Sequence, residues 1–290
     1  MSNPYLSMVT ATEKLLRDGA ALPLGTLPGP PAPPLAPDAP VVLLFAPHPD
    51  DECIIGALPL RLRRELRMNV LDVAVTQGSN PARKAARLAE LQAACAYLGF
   101  GVRTTSAGGL DGVNLQCRAN EPQRWRAHVA VIAGILAAQR PQAIFVPHAA
   151  DANRAHIGTY HLVMDALAGM PAAFACWVLE TEYWAALSQP NVMIESCATD
   201  VADLMAATAC HAGEVVRNPY HLRLPAWMSD NVRRGGELIG GQGGAVPDFA
   251  FATLYRLSRW ERGALTPAPG RFMIGAMQSC AALFAAPAAR

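Results

Sequence analysis

Within the five residues from His48 to Glu52 the chain carries one imidazole and three carboxylates, in the run Pro47-His48-Pro49-Asp50-Asp51-Glu52. Such a run is a poor component of a packed core, because every ionised group would need a partner away from water. It suits a divalent metal ion with a carboxylate left over to move a proton. His48 and Asp51 can converge on one ion if the chain turns between them. Neutral imidazole and carboxylate are both ordinary zinc ligands, at roughly 2.0–2.2 Å. A catalytic zinc needs a third protein ligand and an open position for water. With Asp51 on the metal, Asp50 is the neighbouring carboxylate placed to take a proton from that water. The bland alternative is a charged turn that caps the next helix, since Asp is a good N-cap and acids suit a helix N-terminus.

The segment in front argues for the first reading. Val41-Val42-Leu43-Leu44-Phe45-Ala46 is an unbroken apolar run bounded by prolines, the pattern of a strand buried on both faces of a parallel sheet. The acidic turn therefore falls at the carboxyl end of a strand, the edge where ligands bind in open α/β sheets. Pro49 biases His48 away from helical backbone, which favours a turn there.

The run resembles the signature of the PIG-L/LmbE-like zinc deacetylases, a strand followed by (Ala/Pro)-His-Pro-Asp-Asp-Glu. The resemblance continues through Thr76-Gln77-Gly78 after a second apolar run, Arg87-Leu88-Ala89-Glu90, the pair Leu98-Gly99 and Leu110-Asp111-Gly112. It covers roughly residues 40 to 165. It implies a Rossmann-like fold, a Zn²⁺ cofactor, His48 and Asp51 as ligands, Asp50 as general base, and an N-acylated small molecule as substrate. The family's later pattern, Asp-x-His-x-Asp-His after a strand, falls on Asp151 to His156, behind Ala143-Ile144-Phe145-Val146. By that resemblance His156 is the third metal ligand. His148, at the strand end, and His161, further along the same segment, compete with it. The sequence departs from the pattern at Asn153, where the family has a His that stabilises the oxyanion, and at Ala155, where it has a second Asp. An Asn amide can donate to an oxyanion but cannot supply an imidazolium. Relatives also carry a His on a late helix facing the cleft, which makes His211 a third candidate catalytic residue. Aromatic residues follow the corresponding strand in relatives, which makes Tyr183 and Trp184 candidates for stacking on a sugar ring, with packing in the core as the alternative.

The composition fits a large α/β enzyme. The chain has 290 residues, of which 52% are hydrophobic, and a net charge of +1. That balance offers no electrostatic footprint for nucleic acid or an anionic membrane. No stretch reads as a secretory signal or a membrane span. The seven cysteines contain no Cys-x-x-Cys pair, which disfavours a cysteine metal site and suggests reduced thiols in a cytoplasmic protein. Cys53 reads as a small packed hydrophobe.

Residues 5–18 read as a short amphipathic helix and residues 19–40 as a proline-rich linker. From 41 to 290 the expectation is a single α/β domain. Strands near 41–46, 70–75, 101–105 and 143–146 alternate with helices near 54–66, 82–98 and 123–139, which predicts a mostly parallel, Rossmann-like sheet with helices on both faces. Gly240 to Gly244 follows no apolar strand and reads as a flexible loop, not a phosphate cradle. The C-terminal part is less regular. It holds a helix near 155–170, a strand near 173–180, a helix near 200–216, and a stretch from 218 to 237 that reads equally as a lid or as a contact in a homo-oligomer. The expected function is a zinc-dependent hydrolase that removes an N-acyl group, foremost acetyl, from an amino sugar or related metabolite. The alternatives are a metal-dependent amidase of an acylated peptide-like product and a catalytically inactive ligand-binding relative.

Overall fold

The computed structural model describes residues 3–25 and 27–285. Strands β1 (Val41–Ala46), β2 (Asn69–Ala74), β3 (Gly101–Thr104), β4 (Ala143–Pro147) and β5 (Cys176–Thr181) are followed by β6 (Val192–Glu195), β7 (Ala252–Glu261), β8 (Ala264–Pro267) and β9 (Phe272–Ile274). They form one sheet in the order β3-β2-β1-β4-β5-β7-β6-β9, with β8 paired to β7. The first five strands are mutually parallel, and β7 runs antiparallel to β5, β6 and β8. The fold is thus a mostly parallel α/β sheet, as the alternation of apolar runs predicts.

The helices are α1 (Leu6–Gly19), α2 (Asp51–Ile54), α3 (Leu58–Arg64), α4 (Lys84–Leu98), α5 (Leu115–Asn120), α6 (Pro122–Gln139), α7 (Arg154–Ala168), α8 (Ala198–Ala209), α9 (Ala212–Val215) and α10 (Leu224–Leu238). They cover both faces of the sheet. Successive side chains of a strand point to opposite faces, and β1 follows this rule. Val42 and Leu44 pack with Leu91 and Leu98 of α4 and Leu204 of α8. Leu43 and Phe45 pack with Ile132 and Leu136 of α6 and Leu162 of α7. Burial on both faces is why β1 is apolar throughout.

Three boundaries differ from the sequence expectation. The helix expected over 54–66 is interrupted at Gly56, whose φ is +92° and whose missing Cβ would fall 2.1 Å from Thr253 Oγ1. The helix expected over 200–216 stops at Ala209 and restarts at Ala212. The stretch 218–237 is mostly α10, which packs on β7. The proline-rich strap lies against the body, where Arg63 donates to Pro33 O at 2.8 Å and Gly25 N to Ala209 O at 2.9 Å. No residue of α1 is buried. Among the described residues no helix is long and apolar enough to cross a membrane, and all seven cysteines are unpaired thiols.

Asp72, in the middle of β2, is fully buried, and neither carboxylate oxygen has a hydrogen-bond partner among the described residues. Burial first, then the charges of Glu52 and Asp51, push its pKa well above the ordinary carboxylate value. A carboxyl with a raised native pKa favours folding at low pH, and that contribution is lost as pH rises past its unfolded value of about 4. Asp72→Asn is therefore expected to raise the melting temperature, by more at pH 8 than at pH 5. An equal shift at the two pH values, read by thermal melts, would contradict a neutral buried Asp72.

Candidate metal centre

Strand order reverses between β1 and β4: the chain passes from β1 to β2 on one side, while β4 flanks β1 on the other. Crevices at such switch points, beyond the carboxyl ends of the strands, are the ligand sites of open α/β sheets. The turn after β1 and the start of α2 supply His48 to Glu52, and the turn after β4 and the start of α7 supply Asp151 to His156.

Three side chains from these turns meet. His156 Nε2 lies 3.2 Å from His48 Nδ1 and 3.3 Å from Asp51 Oδ2, and His48 Nδ1 lies 3.4 Å from Asp51 Oδ2. Ligand atoms about 2.1 Å from a zinc ion and a tetrahedral angle apart are about 3.4 Å from each other. The triangle therefore has the size of three corners of a tetrahedral zinc site, and the donor set of two imidazoles and one carboxylate suits that ion. His156 is fully buried, Asp51 is nearly so, and His48 reaches solvent. His156 Nδ1 lies 3.8 Å from Asp151 Oδ1, too far for a hydrogen bond, and has no hydrogen-bond partner among the described residues. Burial tends to raise the pKa of Asp51, but the two imidazoles outweigh it and hold the carboxyl below its usual range.

The competitors for the third position lie elsewhere. His148 Nε2 is engaged with Ala185 O at 2.9 Å, and His161 Nδ1 with Arg118 at 3.3 Å on the surface.

Asp50 sits beside the triangle with φ of 118°, a conformation that L residues adopt only when their surroundings enforce it. Here the enforcement is local. Glu52 Oε2 accepts the Asp50 backbone N–H at 2.8 Å. Glu52 Oε1 is contacted by His211 Nε2 at 2.7 Å and Cys53 Sγ at 3.0 Å. The carbonyls of the same turn are held by two residues of the resemblance motifs. Thr76 Oγ1 donates to Pro47 O at 2.7 Å, and Arg87 Nη2 donates to Pro49 O at 2.9 Å. Gly78 makes room for this arginine: a Cβ there would lie 2.3 Å from Arg87 Nη1. Glu90 accepts Gly213 N at 3.0 Å, tying α4 to the α8–α9 break.

The carboxylate of Asp50 accepts from Tyr220 Oη at 2.6 Å and lies 3.8 Å from Arg87. Burial, then the adjacent Asp51 charge, pushes its pKa up to about 7, against the lowering influence of His211, Tyr220 and Arg87. Tyr220 is a site residue that sequence reasoning passed over. It stands 170 residues from Asp50, and no local spacing announces it.

His211 is placed differently from the expectation. It is fully buried behind Glu52 at the start of α9 and does not line the open cleft. Burial works to lower its pKa, but the Glu52 carboxylate outweighs this and raises it. The imidazole thus supports the turn from behind. Asn153 caps α7, its Oδ1 accepting Ala155 N at 2.8 Å. That bond fixes the amide orientation, and Nδ2 has no protein partner among the described residues. Asn153 lines the open cleft together with His48. Tyr183 presents its ring edge to His156, with centroids 4.7 Å apart, so it packs on a candidate ligand. Trp184 is exposed.

A second group, Glu52, Cys53 and His211, also brings metal-binding residue types together. Its separations of 2.7 and 3.0 Å are those of hydrogen bonds, shorter than the spacing of ligands around one ion, so we read it as the support of the turn.

Fold and site together describe an open α/β protein with a candidate mononuclear metal centre at its switch crevice. Residues 43–167, from β1 to α7, match the PIG-L family, described as GlcNAc-PI de-N-acetylase. In structure the chain is similar to N,N'-diacetylchitobiose deacetylase from Pyrococcus horikoshii, at 13% identity and a TM-score of 0.54 over 89% of this chain and 93% of that one. It is also similar to a deacetylase of teicoplanin biosynthesis, at 15% identity and a TM-score of 0.53 over 76% and 98% of the two chains. A third similar structure is 4-carboxy-2-hydroxymuconate hydratase from Pseudomonas putida KT2440, at 16% identity and a TM-score of 0.52 over 76% and 95%. Likeness at these identities establishes the fold, which carries more than one chemistry. No curated protein matches the chain in sequence.

Glu52 accepts from three directions, and a glutamine at that position has one acceptor oxygen and two donors. Glu52→Gln is expected to leave one buried partner unpaired, at a cost of about 1–3 kcal/mol. It should lower turnover at least tenfold through displacement of Asp50 while metal content holds. Wild-type turnover in that variant would show that the turn does not depend on the carboxylate.

Proposed function

We propose that the chain is a zinc-dependent amide hydrolase that removes an N-acyl group, acetyl in the simplest case, from an amino sugar or related small metabolite. The observation that carries this reading is the triangle of His48, Asp51 and His156 with Asp50 alongside, within a PIG-L family domain. The deacetylases among the similar structures support it. Zinc held by the three ligands would polarise an amide carbonyl and lower the pKa of a water molecule to about 7.

The remaining steps belong to the protein's own groups. Asp50, oriented by Tyr220, takes the proton of the attacking water and returns it to the departing amine, so that the C–N bond breaks to an amine and a carboxylate. Asn153, whose cap leaves its Nδ2–H donors free, offers a neutral hydrogen bond to the negative charge that grows on the carbonyl oxygen. His211 acts through Glu52 as a positioning residue. The open cleft, about 740 Å³, is lined by polar side chains that include Arg87, Asp111, Asn114 and Arg154, and it suits a hydroxyl-rich ligand. We further propose that residues 41–290 work as one α/β unit, with 1–40 an appended helix and strap, in a cytoplasmic protein. Departures at Asn153 and Ala155 favour one second reading, a relative that keeps metal and ligand binding without turnover.

Three variants test the reading together, assayed for metal by elemental analysis and for amine release from N-acetylglucosamine and related N-acetyl amino sugars. His156→Ala is expected to lose both metal and activity. Asp50→Asn is expected to keep the metal and to lose about 10²–10⁴-fold in turnover. Asn153→Asp keeps the cap but loses the donor, so it should retain the wild-type melting temperature and lose about 10²–10³-fold. Full metal content in His156→Ala would refute the ligand set. Metal with no turnover in the wild type across the panel would leave the binding protein.

A further inference from the structure

The triangle and Asp50 have two neighbourhoods of opposite character. One is the polar open cleft. The other is a recess of about 180 Å³ whose wall is built from Ile54, Tyr183, Trp184, Tyr220, Leu224 and Trp227. Its one acidic lining residue, Glu182, is already committed: it accepts Leu187 N at 2.6 Å and Arg234 Nη2 at 2.5 Å. Arg223 is exposed, at the rim. The recess therefore offers aromatic and aliphatic surface with few free polar groups, the character of a pocket for hydrocarbon.

Its walls touch the reacting groups. Tyr220 donates to Asp50 Oδ2 at 2.6 Å, the Tyr183 ring meets His156 edge-on, and Ile54 ends the helix that Asp51 begins. A scissile amide lying between Asp50 and the triangle has two substituents. The nitrogen carries the polar amine component, which the open cleft suits. The carbonyl carbon carries the acyl tail, for which the recess is the apolar neighbour. An acetyl methyl would leave most of it empty. An apolar cavity of about 150 Å³ accommodates benzene, so the recess has room for a tail of that size.

On the reading that the site is an amide hydrolase, we infer that its acyl substituent is larger than acetyl: an apolar chain of about six carbons, or a group of phenyl size, seated among Ile54, Tyr183, Tyr220, Leu224 and Trp227. The reaction is hydrolysis of that amide. The C–N bond breaks, a C–O bond to water forms, and the water's proton leaves on the amine.

The test is the specificity constant of the zinc-loaded full chain on glucosamine carrying N-acetyl, N-butanoyl and N-hexanoyl groups. Burying one methylene is worth about 0.8 kcal/mol, or roughly fourfold, so kcat/KM is expected to climb on the order of 10²-fold from acetyl to hexanoyl. Leu224→Trp, which fills the recess, should collapse the hexanoyl-to-acetyl ratio towards one. Trp227→Ala, which enlarges it, should move the optimum to a longer chain, and it serves if the first variant does not fold. Turnover of the acetyl compound with a flat or falling series would overturn the acyl pocket and leave the hydrolase reading standing. So would a gradient that survives both variants. No turnover of any member would overturn both.

Discussion

The backbone of one residue, Asp50, governs the site. Its positive φ turns the chain so that His48 and Asp51 face one point while the Asp50 carboxylate remains beside them. Such a conformation costs about 1–3 kcal/mol in a residue with a side chain and persists only where neighbours over-determine it. They do so from several directions. Glu52 grips the Asp50 N–H, Thr76 and Arg87 hold the Pro47 and Pro49 carbonyls that precede it, and Tyr220 takes the carboxylate. α4, the α8–α9 break and the turn ahead of α10 bring Arg87, His211 and Tyr220 to that turn.

This view gives the buried polar groups distinct roles. The three atoms of the His48–Asp51–His156 triangle stand at the spacing of ligands around an ion. The Glu52–His211 pair, on the far side of the same turn, stands at hydrogen-bond distance. Two clusters of similar composition thus differ in spacing, and the wider one matches the separation of ligands around a zinc ion. The sheet contributes the location. Parallel strands β1 and β4 end side by side at the switch, so turns more than a hundred residues apart in sequence open into one crevice.

Much of this was legible from local pattern. β1 and β4 are buried on both faces and apolar in every position, and the acidic turn stood out against them. His48, Asp51 and His156 followed from the motif and the resemblance, and the structure brings them together. What stayed hidden depends on long-range pairing. β7 contains Arg256 and Arg259, which look wrong for a central strand until Arg256 faces Glu180 of β5 and Arg259 lies over the Trp177 ring. α10 carries Gly235 and Gly236 in its interior, poor helix formers, because a Cβ at Gly235 would meet Met193 Sδ at 2.5 Å. His211 was expected at the cleft and instead lies behind Glu52, since the break after α8 turns it inward. Tyr220 had no local signature at all.

On the proposed reading, the segments that follow β1 and β4 share one metal ion. Anomalous diffraction at the zinc edge, from crystals of the zinc-loaded protein, tests it most directly. One strong peak is expected about 2.0–2.2 Å from His48 Nδ1, Asp51 Oδ2 and His156 Nε2. A peak among Glu52, Cys53 and His211, or a zinc-loaded crystal with no peak inside the triangle, would contradict it.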